Sequence, residues 1–363
     1  MRPSSGGAPE AVRRARRRRP SGYHRRPPTT DDTAMLAVRY SRFGPAHEVA
    51  ELVEVPEPDA PGPGEVLLEI ERSSINPADL LMFEGRYGAA PPKLPVWAGG
   101  EAVARVLRAG EGVIHLKPGD RVLALLAARG NWRPRTKAPA ARLFALPEAD
   151  LDQLAMLGVN PPTAWLMLHD FVSLAPGDWV MQNAGNSGVG QAVIQFAKRL
   201  GWRTVSVVRR PEQAAPLRAI GADAVVVDAP DLAQRVVEAT GGARPRLGID
   251  AVAGEATRRM ARSLADGGTV VNYGLLSGQP CALDASDVVF RDVALRGFWL
   301  ARWFAGVPLD AQHALYRRLG AAIADGTLRV EVEATYPLAR VKEALAHAAR
   351  PARGGKVLLA PNA

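Results

Sequence analysis

The stretch Asp178–Leu200, DWVMQNAGNSGVGQAVIQFAKRL, decides the fold because it predicts a strand, a glycine turn and a helix in direct succession. Residues 179–184 are an apolar run typical of a short buried strand, and Gly185, Gly188 and Gly190 follow it. Apolar residues then recur every three or four positions over three turns, which is the periodicity of an amphipathic helix. Such a turn presents free backbone N–H groups and the positive end of a helix dipole to a phosphate.

The glycine spacing, G-x-x-G-x-G, leaves two interpretations open: a nucleotide-binding turn, or a tight strand-to-helix turn of any α/β domain. The segment after the helix favours the first. Residues 203–208, RTVSVV, predict a buried parallel strand that ends in Arg209-Arg210. A dinucleotide-binding fold carries at this position an acidic residue for the ribose of NAD or an arginine for the 2′-phosphate of NADP. No carboxylate lies between the end of this strand and Glu212, so the predicted cofactor is NADPH.

Four more buried strands are predicted after this unit, with helical patterns between them. They lie at residues 224–228, 247–252, 269–273 and 293–299. Together with the first two strands they predict a doubly wound parallel sheet of six strands. Residues 35–150 instead alternate short strands with proline and glycine turns, which indicates a β-rich domain. The predicted fold class is therefore α/β with a β-rich first domain.

The composition is that of a soluble chain with a substantial core. Of the 363 residues, 47% are hydrophobic, and no apolar run reaches the ~18 residues that a membrane-spanning helix needs. We therefore predict about two domains and no membrane partner. The single cysteine, Cys281, excludes an intramolecular disulfide and suits a reducing compartment.

The first 33 residues carry nine arginines against three carboxylates and account for +6 of the formal net charge of +9. Rich in Pro, Gly and Ser, this segment is predicted to be a disordered basic tail. Three roles stay open: a nucleic-acid-binding arm, a transit peptide that leads to the mitochondrial matrix, or a plain solvated tail. Prolines weaken an amphipathic transit helix, and Tyr23 is the only aromatic residue among the arginines. We favour the plain tail, a cytoplasmic protein and no nucleic-acid partner.

Several motifs carry a resemblance to a known family. They are Ile75-Asn76-Pro77-Ala78-Asp79, Gly85-Arg86-Tyr87-Gly88, Leu157-Gly158-Val159-Asn160-Pro161, the glycine turn with its flanking glutamines at 182–195, and Phe298-Trp299-Leu300. From residue 35 onward the chain resembles the medium-chain dehydrogenase/reductase superfamily, and these motifs resemble its mitochondrial-type 2-enoyl thioester reductases. The resemblance implies a GroES-like catalytic domain at 34–158, completed by 302–363, and a Rossmann NADP-binding domain at 159–301.

Two segments depart from the pattern of that family. Gly99-Gly100-Glu101-Ala102 stands where the enoyl reductases commonly have Gly-Asn-Glu-Gly, and only Arg209-Arg210-Pro211 follows the second nucleotide-domain strand. Which arginine meets the 2′-phosphate therefore stays open. Zinc-dependent members of the superfamily need a histidine beside the residue that matches Glu101 and a cysteine in the first domain. Gly100 stands at the histidine position and no cysteine precedes Cys281, so no metal site is predicted.

The resemblance implies reduction of the C=C bond of a trans-2-enoyl thioester carried on coenzyme A or on acyl carrier protein. Hydride adds to the β-carbon, charge collects on the thioester oxygen, and a proton must reach the α-carbon. The resemblance assigns proton donation to Tyr87, whose phenol stays protonated at neutral pH. A quinone or small α,β-unsaturated carbonyl reductase is the alternative enzyme. A nucleic-acid-binding protein on a dehydrogenase scaffold is the alternative from another class.

The same resemblance implies the other site residues. Asn160 orients the nicotinamide, and Lys356 either reaches a phosphate or is a surface lysine. Asn76 and Trp132 are expected in the substrate pocket, with Trp132 as a wall for the acyl chain. The turn residues Asn186, Ser187, Gly188, Val189 and Gly190 cradle the pyrophosphate. The residues expected to border the nicotinamide, of which Phe298 and Trp299 are equally plausible as core aromatics, are Tyr273, Gly274, Leu275, Leu276, Phe298, Trp299 and Leu300.

The last strand of the nucleotide-binding domain bears on assembly. Residues 293–300 are predicted to form a long apolar strand at the edge of the sheet. An exposed apolar edge invites pairing with another strand. We therefore expect a twofold-symmetric homodimer that joins two sheets edge to edge, as in relatives of this family.

Overall fold

Sixteen strands and twelve α-helices make up the described part of the computed structural model, which comprises residues 34–125, 130–351 and 353–363. The predicted basic tail at 1–33 lies outside the described residues. Residues Ala34–Ala363 form one compact unit. No helix in the described ranges has the length and apolar character needed to cross a bilayer.

The strands fall into a β-rich group, interrupted and then completed by the carboxyl-terminal segment, and a nucleotide-binding group. The β-rich group begins with β1 (Ala34–Tyr40), β2 (Glu51–Pro56), β3 (Glu65–Ser74), β4 (Val96–Trp97), β5 (Glu101–Ala109), β6 (Arg121–Leu125), β7 (Arg135–Pro139) and β8 (Phe144–Ala145). The nucleotide-binding group follows as β9 (Trp179–Asn183), β10 (Arg203–Val208), β11 (Ala224–Val227), β12 (Leu247–Asp250), β13 (Thr269–Asn272) and β14 (Ala294–Gly297). The carboxyl-terminal strands are β15 (Val332–Pro337) and β16 (Lys356–Ala360).

The helices alternate with strands mainly in the second half of the chain. The first four are α1 (Ala46–Val49), α2 (Pro77–Phe83), α3 (Leu151–Leu154) and α4 (Asn160–His169). The nucleotide-binding part contains α5 (Gly188–Arg199), α6 (Ala214–Ala219), α7 (Leu232–Thr240), α8 (Glu255–Ser263) and α9 (Ala285–Arg291). The last three are α10 (Leu300–Gly306), α11 (Leu309–Ala324) and α12 (Val341–Ala349).

The nucleotide-binding part is the doubly wound sheet that the sequence predicts. Its six strands are all parallel and run in the order β11-β10-β9-β12-β13-β14. The chain order reverses between β9 and β12, and ligands of open α/β sheets bind beside this switch point, at the carboxyl ends of the strands. Strand β9 leads directly into the glycine turn. The predicted nucleotide site therefore lies at the switch point.

The last strand of this sheet differs from its prediction. Strand β14 covers only Ala294–Gly297, and all four of its residues are exposed. Strand β13 pairs with it on one side only, and Leu300 already begins α10. The edge is therefore short rather than long and apolar. Exposed apolar side chains lie instead on the preceding helix α9, where Val289 and Phe290 are 69% and 82% exposed.

The β-rich part needs the end of the chain to be complete. Its largest sheet has the order β15-β16-β3-β5-β6-β8, and β7 pairs with β3. Strand β16 runs antiparallel to β3, with Leu358 opposite Ser74 and Leu359 opposite Ser73. This register places Lys356 beside the segment that follows β3. Returning carboxyl-terminal residues thus contribute directly to the first domain, as the sequence predicts.

One apolar cluster spans both parts of the fold. Buried Val103 and Leu123 of the β-rich sheet belong to the same cluster as Val189 and Val193 of α5. Tyr316 of α11 is also buried in this cluster and donates its hydroxyl to the carbonyl oxygen of Gly158 at 2.8 Å. Shared burial of this kind holds the two parts of the fold in a fixed relative position.

Gly190→Ala is expected to destabilise the fold by about 1–3 kcal/mol or more. The added methyl carbon would lie 2.6 Å from both the Cα and the carbonyl oxygen of Gly185, and backbone atoms cannot swing aside. In the matched variant Gly188→Ala, the methyl carbon meets the Asn160 side chain at 3.1 Å, and a side chain can shift. Urea unfolding measures both variants. Equal free energies of unfolding would contradict this prediction.

Candidate active site

The glycine turn is braced by the polar residues on either side of it. Ser187 caps α5, because its Oγ accepts the N–H of Gly190 at 3.1 Å. Gln182 Nε2 donates to the carbonyl oxygen of Gly190 at 2.9 Å, and Gln191 Nε2 donates to that of Asn186 at 3.1 Å. The two glutamines thus hold the backbone of the turn at two points, Gly190 and Asn186. First-turn N–H groups of a helix lack intrahelical partners and can donate hydrogen bonds to an anion.

The two arginines after β10 have different surroundings. Both are exposed, but only Arg210 lines the large cleft that begins at Asn186 and runs along α5. Its volume is about 1340 Å³. The structure therefore gives Arg210, rather than Arg209, access to a ligand that lies on the glycine turn.

A buried polar network lies between the β-rich sheet and the start of α4, and Asn76 is at its centre. Its Nδ2 donates to Glu101 Oε1 at 2.6 Å and to Ser74 Oγ at 3.1 Å. Its Oδ1 accepts from Lys356 Nζ at 2.6 Å and from Asn160 Nδ2 at 3.2 Å. All five side chains are buried. The network joins β3, β5, β16 and α4 through one amide group.

Asn160 connects this network to the glycine turn. It is the first residue of α4, and its side-chain amide is 6% exposed. A Cβ at Gly188 would lie 3.1 Å from the Asn160 Cγ and Oδ1, so the two residues are in direct contact only because position 188 is glycine. The predicted place of Asn160 next to the bound cofactor fits this contact.

Three ionisable groups share the same buried space. Burial lowers the pKa of Lys356 to about 8, although the nearby carboxylates of Glu101 and Asp79 oppose that shift. Burial raises the pKa of Asp79 to about 7, and the charge of Glu101 adds to the increase. Burial also raises the pKa of Glu101, against the stabilising charge of Lys356. Lys356 is therefore a buried network residue, and its interpretation as a surface lysine is wrong.

Tyr87 lies on the loop that follows α2 and meets the nucleotide-binding part through Trp299. The indole Nε1 of Trp299 donates to the Tyr87 hydroxyl oxygen at 3.1 Å, and the rings meet edge to face at 6.3 Å. Gly85 and Gly88, which bound the Tyr87 loop, both have positive φ angles, of 69° and 91°. A Cβ at Gly88 would come within 4.0 Å of the Trp299 ring.

Burial raises the pKa of the Tyr87 phenol, and the charge of Asp79 raises it further. The hydrogen bond from Trp299 acts in the opposite direction. Tyr87 therefore remains protonated well above neutral pH. Because the indole N–H can only donate, the phenol oxygen accepts this bond and its own proton stays available for another acceptor.

The residues predicted to border the nicotinamide lie at the ends of β13 and β14. Tyr273 follows β13, and its phenol is hydrogen-bonded to Ser187 of the glycine turn, while burial raises its pKa. Leu275 and Leu276, in the same segment, are 50% and 60% exposed. A Cβ at Gly274 would lie 2.5 Å from the Ala251 carbonyl oxygen, which explains the glycine.

Phe298 and Leu300, predicted to border the nicotinamide, are partly buried against the large core cluster. Phe298 also meets Phe171 edge to face at 6.2 Å. Trp299, between them, is 40% exposed. Of the three residues, Trp299 therefore offers the most surface to a ligand.

Trp132 does not fit its predicted role as a wall of the acyl pocket. Its side chain is fully buried and stacks on Phe83 with ring centroids 6.0 Å apart. Its Nε1 donates to Ser73 Oγ at 3.0 Å. A side chain with no exposed surface has none to offer a ligand, so Trp132 is a core residue.

Three contributors to the site were not predicted from the sequence. Asp79 and Glu101 belong to sequence motifs that carry the family resemblance or a departure from it, and Ser74 is the last residue of β3. Asp79 and Glu101 lie close to Lys356, which is 277 and 255 positions away from them along the chain. The one signal in the sequence was the pairing of Asn76 with an aspartate three residues later, which here accepts the Asn76 backbone N–H at 2.8 Å.

The described residues contain no group of three or more His, Cys, Asp or Glu side chains that could hold a metal ion. At the position where zinc-dependent relatives place a histidine, Gly100 packs against Asp79, whose Oδ1 would lie 3.2 Å from an added Cβ. Glu101 beside it is committed to Ser74 and Asn76.

Asp79→Asn is expected to remove a pH-dependent loss of stability. Folded Asp79 keeps its proton up to about pH 7, whereas the unfolded chain loses it near the ordinary value of 3.8. Wild-type stability should therefore fall relative to the variant as pH rises from about 4 to about 7, by up to roughly 4 kcal/mol. Asparagine keeps an oxygen that can accept the Asn76 N–H. Chemical unfolding across this range measures the difference.

The exposed carboxylate Asp59, changed to Asn, serves as the matched control for that series. Its stability curve should run parallel to that of the wild type. Parallel curves for the Asp79 variant as well would refute the assignment of a buried protonated carboxyl group.

Comparison with known proteins agrees with this geometry. A family model described as alcohol dehydrogenase GroES-like domain matches residues 62–148, and one described as zinc-binding dehydrogenase matches residues 188–314. Among solved structures, the mitochondrial 2-enoyl thioester reductase heterodimer Etr1p/Etr2p of Candida tropicalis has a TM-score of 0.78 at 26% identity, covering 90% of this chain and 100% of that one. The quinone oxidoreductase of Pseudomonas syringae has a TM-score of 0.80 at 27% identity, with the same coverage.

The similarity to curated proteins is closer in sequence. Human mitochondrial enoyl-acyl-carrier-protein reductase is 37% identical over 332 residues, which cover 89% of this chain and 88% of that protein. The protein of the same name from Dictyostelium discoideum is 33% identical over 305 residues, covering 81% and 86%. The chain therefore belongs to the mitochondrial-type enoyl-acyl-carrier-protein reductase family of the medium-chain dehydrogenase/reductases.

Proposed function

We propose that this protein reduces the C=C bond of trans-2-enoyl thioesters, carried on coenzyme A or acyl carrier protein, with NADPH as the hydride donor. The hydrogen bond from Trp299 to the Tyr87 hydroxyl carries the proposal. This bond engages the phenol oxygen as an acceptor and leaves the phenol proton free for donation to a substrate. A neighbour in structure, the complex of Etr1p with NADP and crotonyl-CoA, has a TM-score of 0.80 at 25% identity.

The residues at the cleft fit a dinucleotide phosphate. The glycines let the turn pack tightly, since a Cβ at Gly188 or Gly190 would come within 3.1 Å of other protein atoms, and Arg210 stands beyond the turn at the cleft. Asn186 to Gly190 would hold the pyrophosphate, and Tyr273 to Leu276 with Trp299 would border the nicotinamide. When bound, NADPH supplies the hydride that adds to the β-carbon of the enoyl group.

The chain's own residues perform the remaining steps. Asn160, fixed by Asn76, orients the nicotinamide side of the cleft. Leu275, Leu276 and Trp299 cover the reacting atoms with apolar surface and exclude water. Tyr87 transfers its hydroxyl proton to the α-carbon, and Trp299 stabilises the negative charge that develops on the phenol oxygen by donating to it.

Reduction of quinones or small α,β-unsaturated carbonyls is the second candidate function. The likeness to the quinone oxidoreductase of Pseudomonas syringae favours it, since the fold and the cleft are shared. Initial rates with NADPH on crotonyl-CoA and on a benzoquinone, at equal enzyme concentration, separate the two. A kcat/KM larger for crotonyl-CoA supports thioester reduction, and the reverse result supports the alternative.

Tyr87→Phe is expected to lower kcat on crotonyl-CoA by about 10²–10⁴-fold, because general acid catalysis by a positioned side chain contributes that much. The variant removes only the hydroxyl oxygen, so NADPH affinity should stay close to that of the wild type. Single-turnover kinetics with C4-deuterated NADPH establish whether hydride transfer limits the rate.

The matched control is Tyr336→Phe, which removes another phenol, one that is bonded to His347 at 3.0 Å and not to Trp299. It should retain wild-type kcat. Near-wild-type kcat in the Tyr87 variant, with hydride transfer rate-limiting, would exclude Tyr87 as the proton donor.

We infer that the protein forms a homodimer through the β14 edge and helix α9. Strand β14 is paired on one side only, and Leu295 on it is 37% exposed. Val288, Val289 and Phe290 of α9 continue the apolar surface beside that edge, with exposures of 47%, 69% and 82%. An apolar patch next to an open sheet edge favours an interface with a second copy.

Phe290→Glu is expected to shift the protein from dimer to monomer at micromolar concentration, because it would bury a charge in that interface. Multi-angle light scattering measures the mass directly. Ile114→Glu is the control, since Ile114 is 95% exposed on a loop distant in sequence from this patch. A wild-type monomer, or a dimeric Phe290 variant, would contradict the inference.

The relatives are named as mitochondrial proteins, and this supports the transit-peptide interpretation of residues 1–33 over the cytoplasmic prediction. The arginine content and low acidity of the segment agree with such a role. Localisation of a fluorescent fusion with and without these residues distinguishes the matrix from the cytoplasm.

A further inference from the structure

The large cleft has two walls that come from different parts of the fold. One wall is formed by α5, α6 and the turn at Arg210, all in the nucleotide-binding part. The other is formed by residues 326–331, with Arg329, and by residues 353–354, in the returning carboxyl-terminal segment. A ligand on the glycine turn would therefore be contacted from both sides.

The walls of this cleft carry more positive than negative charge. Five cationic side chains line it, against two carboxylates, Glu212 and Glu331. Arg199 forms an ion pair with Asp325. Among the described residues, no carboxylate lies within ion-pair distance of the other four cations, which are Lys198, Arg210, Arg329 and Arg353. Unpaired cations in a cleft of this size favour a ligand with several negative charges.

Arg353 is the most constrained of these four cations. Its side chain is partly buried, and its Nε and Nη1 donate to the carbonyl oxygens of Arg350, at 3.4 Å, and Gly355, at 3.2 Å. These bonds fix the guanidinium and leave Nη2 without a bond to any described residue. The nearest carboxylate that influences it, Glu333, already accepts from His347 and from the N–H groups of Gly354 and Gly355.

Arg353 has no carboxylate of the described residues close enough to complete an ion pair. Burial lowers the pKa of the guanidinium, and the charge of Glu333 offsets part of that effect. A partly buried cation without a close anion is unfavourable, and a phosphate that accepts from it relieves this cost. The structure thus provides a pre-oriented donor on the wall opposite Arg210.

We propose that Arg353 completes the 2′-phosphate site, so that the phosphate is held between Arg210 of the nucleotide-binding part and Arg353 of the carboxyl-terminal segment. This inference rests on the proposed use of NADPH and extends it. Discrimination between NADPH and NADH then depends on both walls of the cleft. It also explains how a single arginine after β10 suffices, since only Arg210 of the two exposed arginines there lines the cleft.

The test is calorimetric binding of adenosine 2′,5′-bisphosphate, with 5′-AMP as the ligand that lacks the 2′-phosphate. Arg353→Ala and Arg210→Ala should each weaken binding of the bisphosphate about 10- to 100-fold, since each removes a charge-assisted hydrogen bond. Binding of 5′-AMP should change by less than about twofold. Arg353→Lys should recover part of the loss, because it keeps the charge but not the planar fork.

Arg317→Ala, which removes an exposed arginine of α11 outside the cleft, is the control for net charge and should bind both ligands as the wild type does. Wild-type affinity of the Arg353 variant for the bisphosphate overturns the proposal. Equal loss of both ligands also overturns it, because it indicates a general distortion of the cleft. The experiment needs no enoyl substrate, so loss of thioester reduction and loss of this site are distinguishable.

Discussion

The side-chain amide of Asn76 is the contact on which the candidate site depends. An amide has two N–H donors and two lone pairs, and here all four are used by Glu101, Ser74, Lys356 and Asn160. Rotation of the amide by 180° would place its NH₂ group against the Lys356 ammonium and its oxygen against the Glu101 carboxylate. The charges on either side therefore allow one orientation, and that orientation positions Asn160 against the glycine turn.

This constraint gives a reason for the discontinuous first domain. Lys356 comes from the last strand of the chain, and it enters the network because β16 pairs with the end of β3. An ammonium at this place would be strongly unfavourable without the carboxylates of Glu101 and Asp79, and those carboxylates would be equally unfavourable without it. The site is thus assembled only when the final strand has paired.

Much of the fold followed from periodicity, and the reasons are local. The six parallel strands were predicted because each is a short, largely apolar run followed by a helical pattern, and such units have few ways to pack. Trp299 and Tyr87 were each selected, but their hydrogen bond joins residues 212 positions apart, and no local pattern specifies that. Trp132 was misplaced because its aromatic ring suits a pocket wall and a core equally. The edge strand β14 was overextended because Phe298 and Trp299 continue an apolar run that the backbone turns away from the sheet.

The ionisable groups of the buried network also affect the pKa of Tyr87. Asp79 raises the pKa of Tyr87 when it is ionised, so a neutral Asp79 makes the phenol a better proton donor. Because burial holds the pKa of Asp79 near 7, this carboxyl group is partly protonated under neutral conditions. Lys356, with a pKa of about 8, keeps its charge in the same range. Its positive charge offsets the repulsion between the carboxylates of Glu101 and Asp79. The buried network therefore contacts the glycine turn through Asn160 and, through the charge of Asp79, adds to the effect of burial on the pKa of Tyr87.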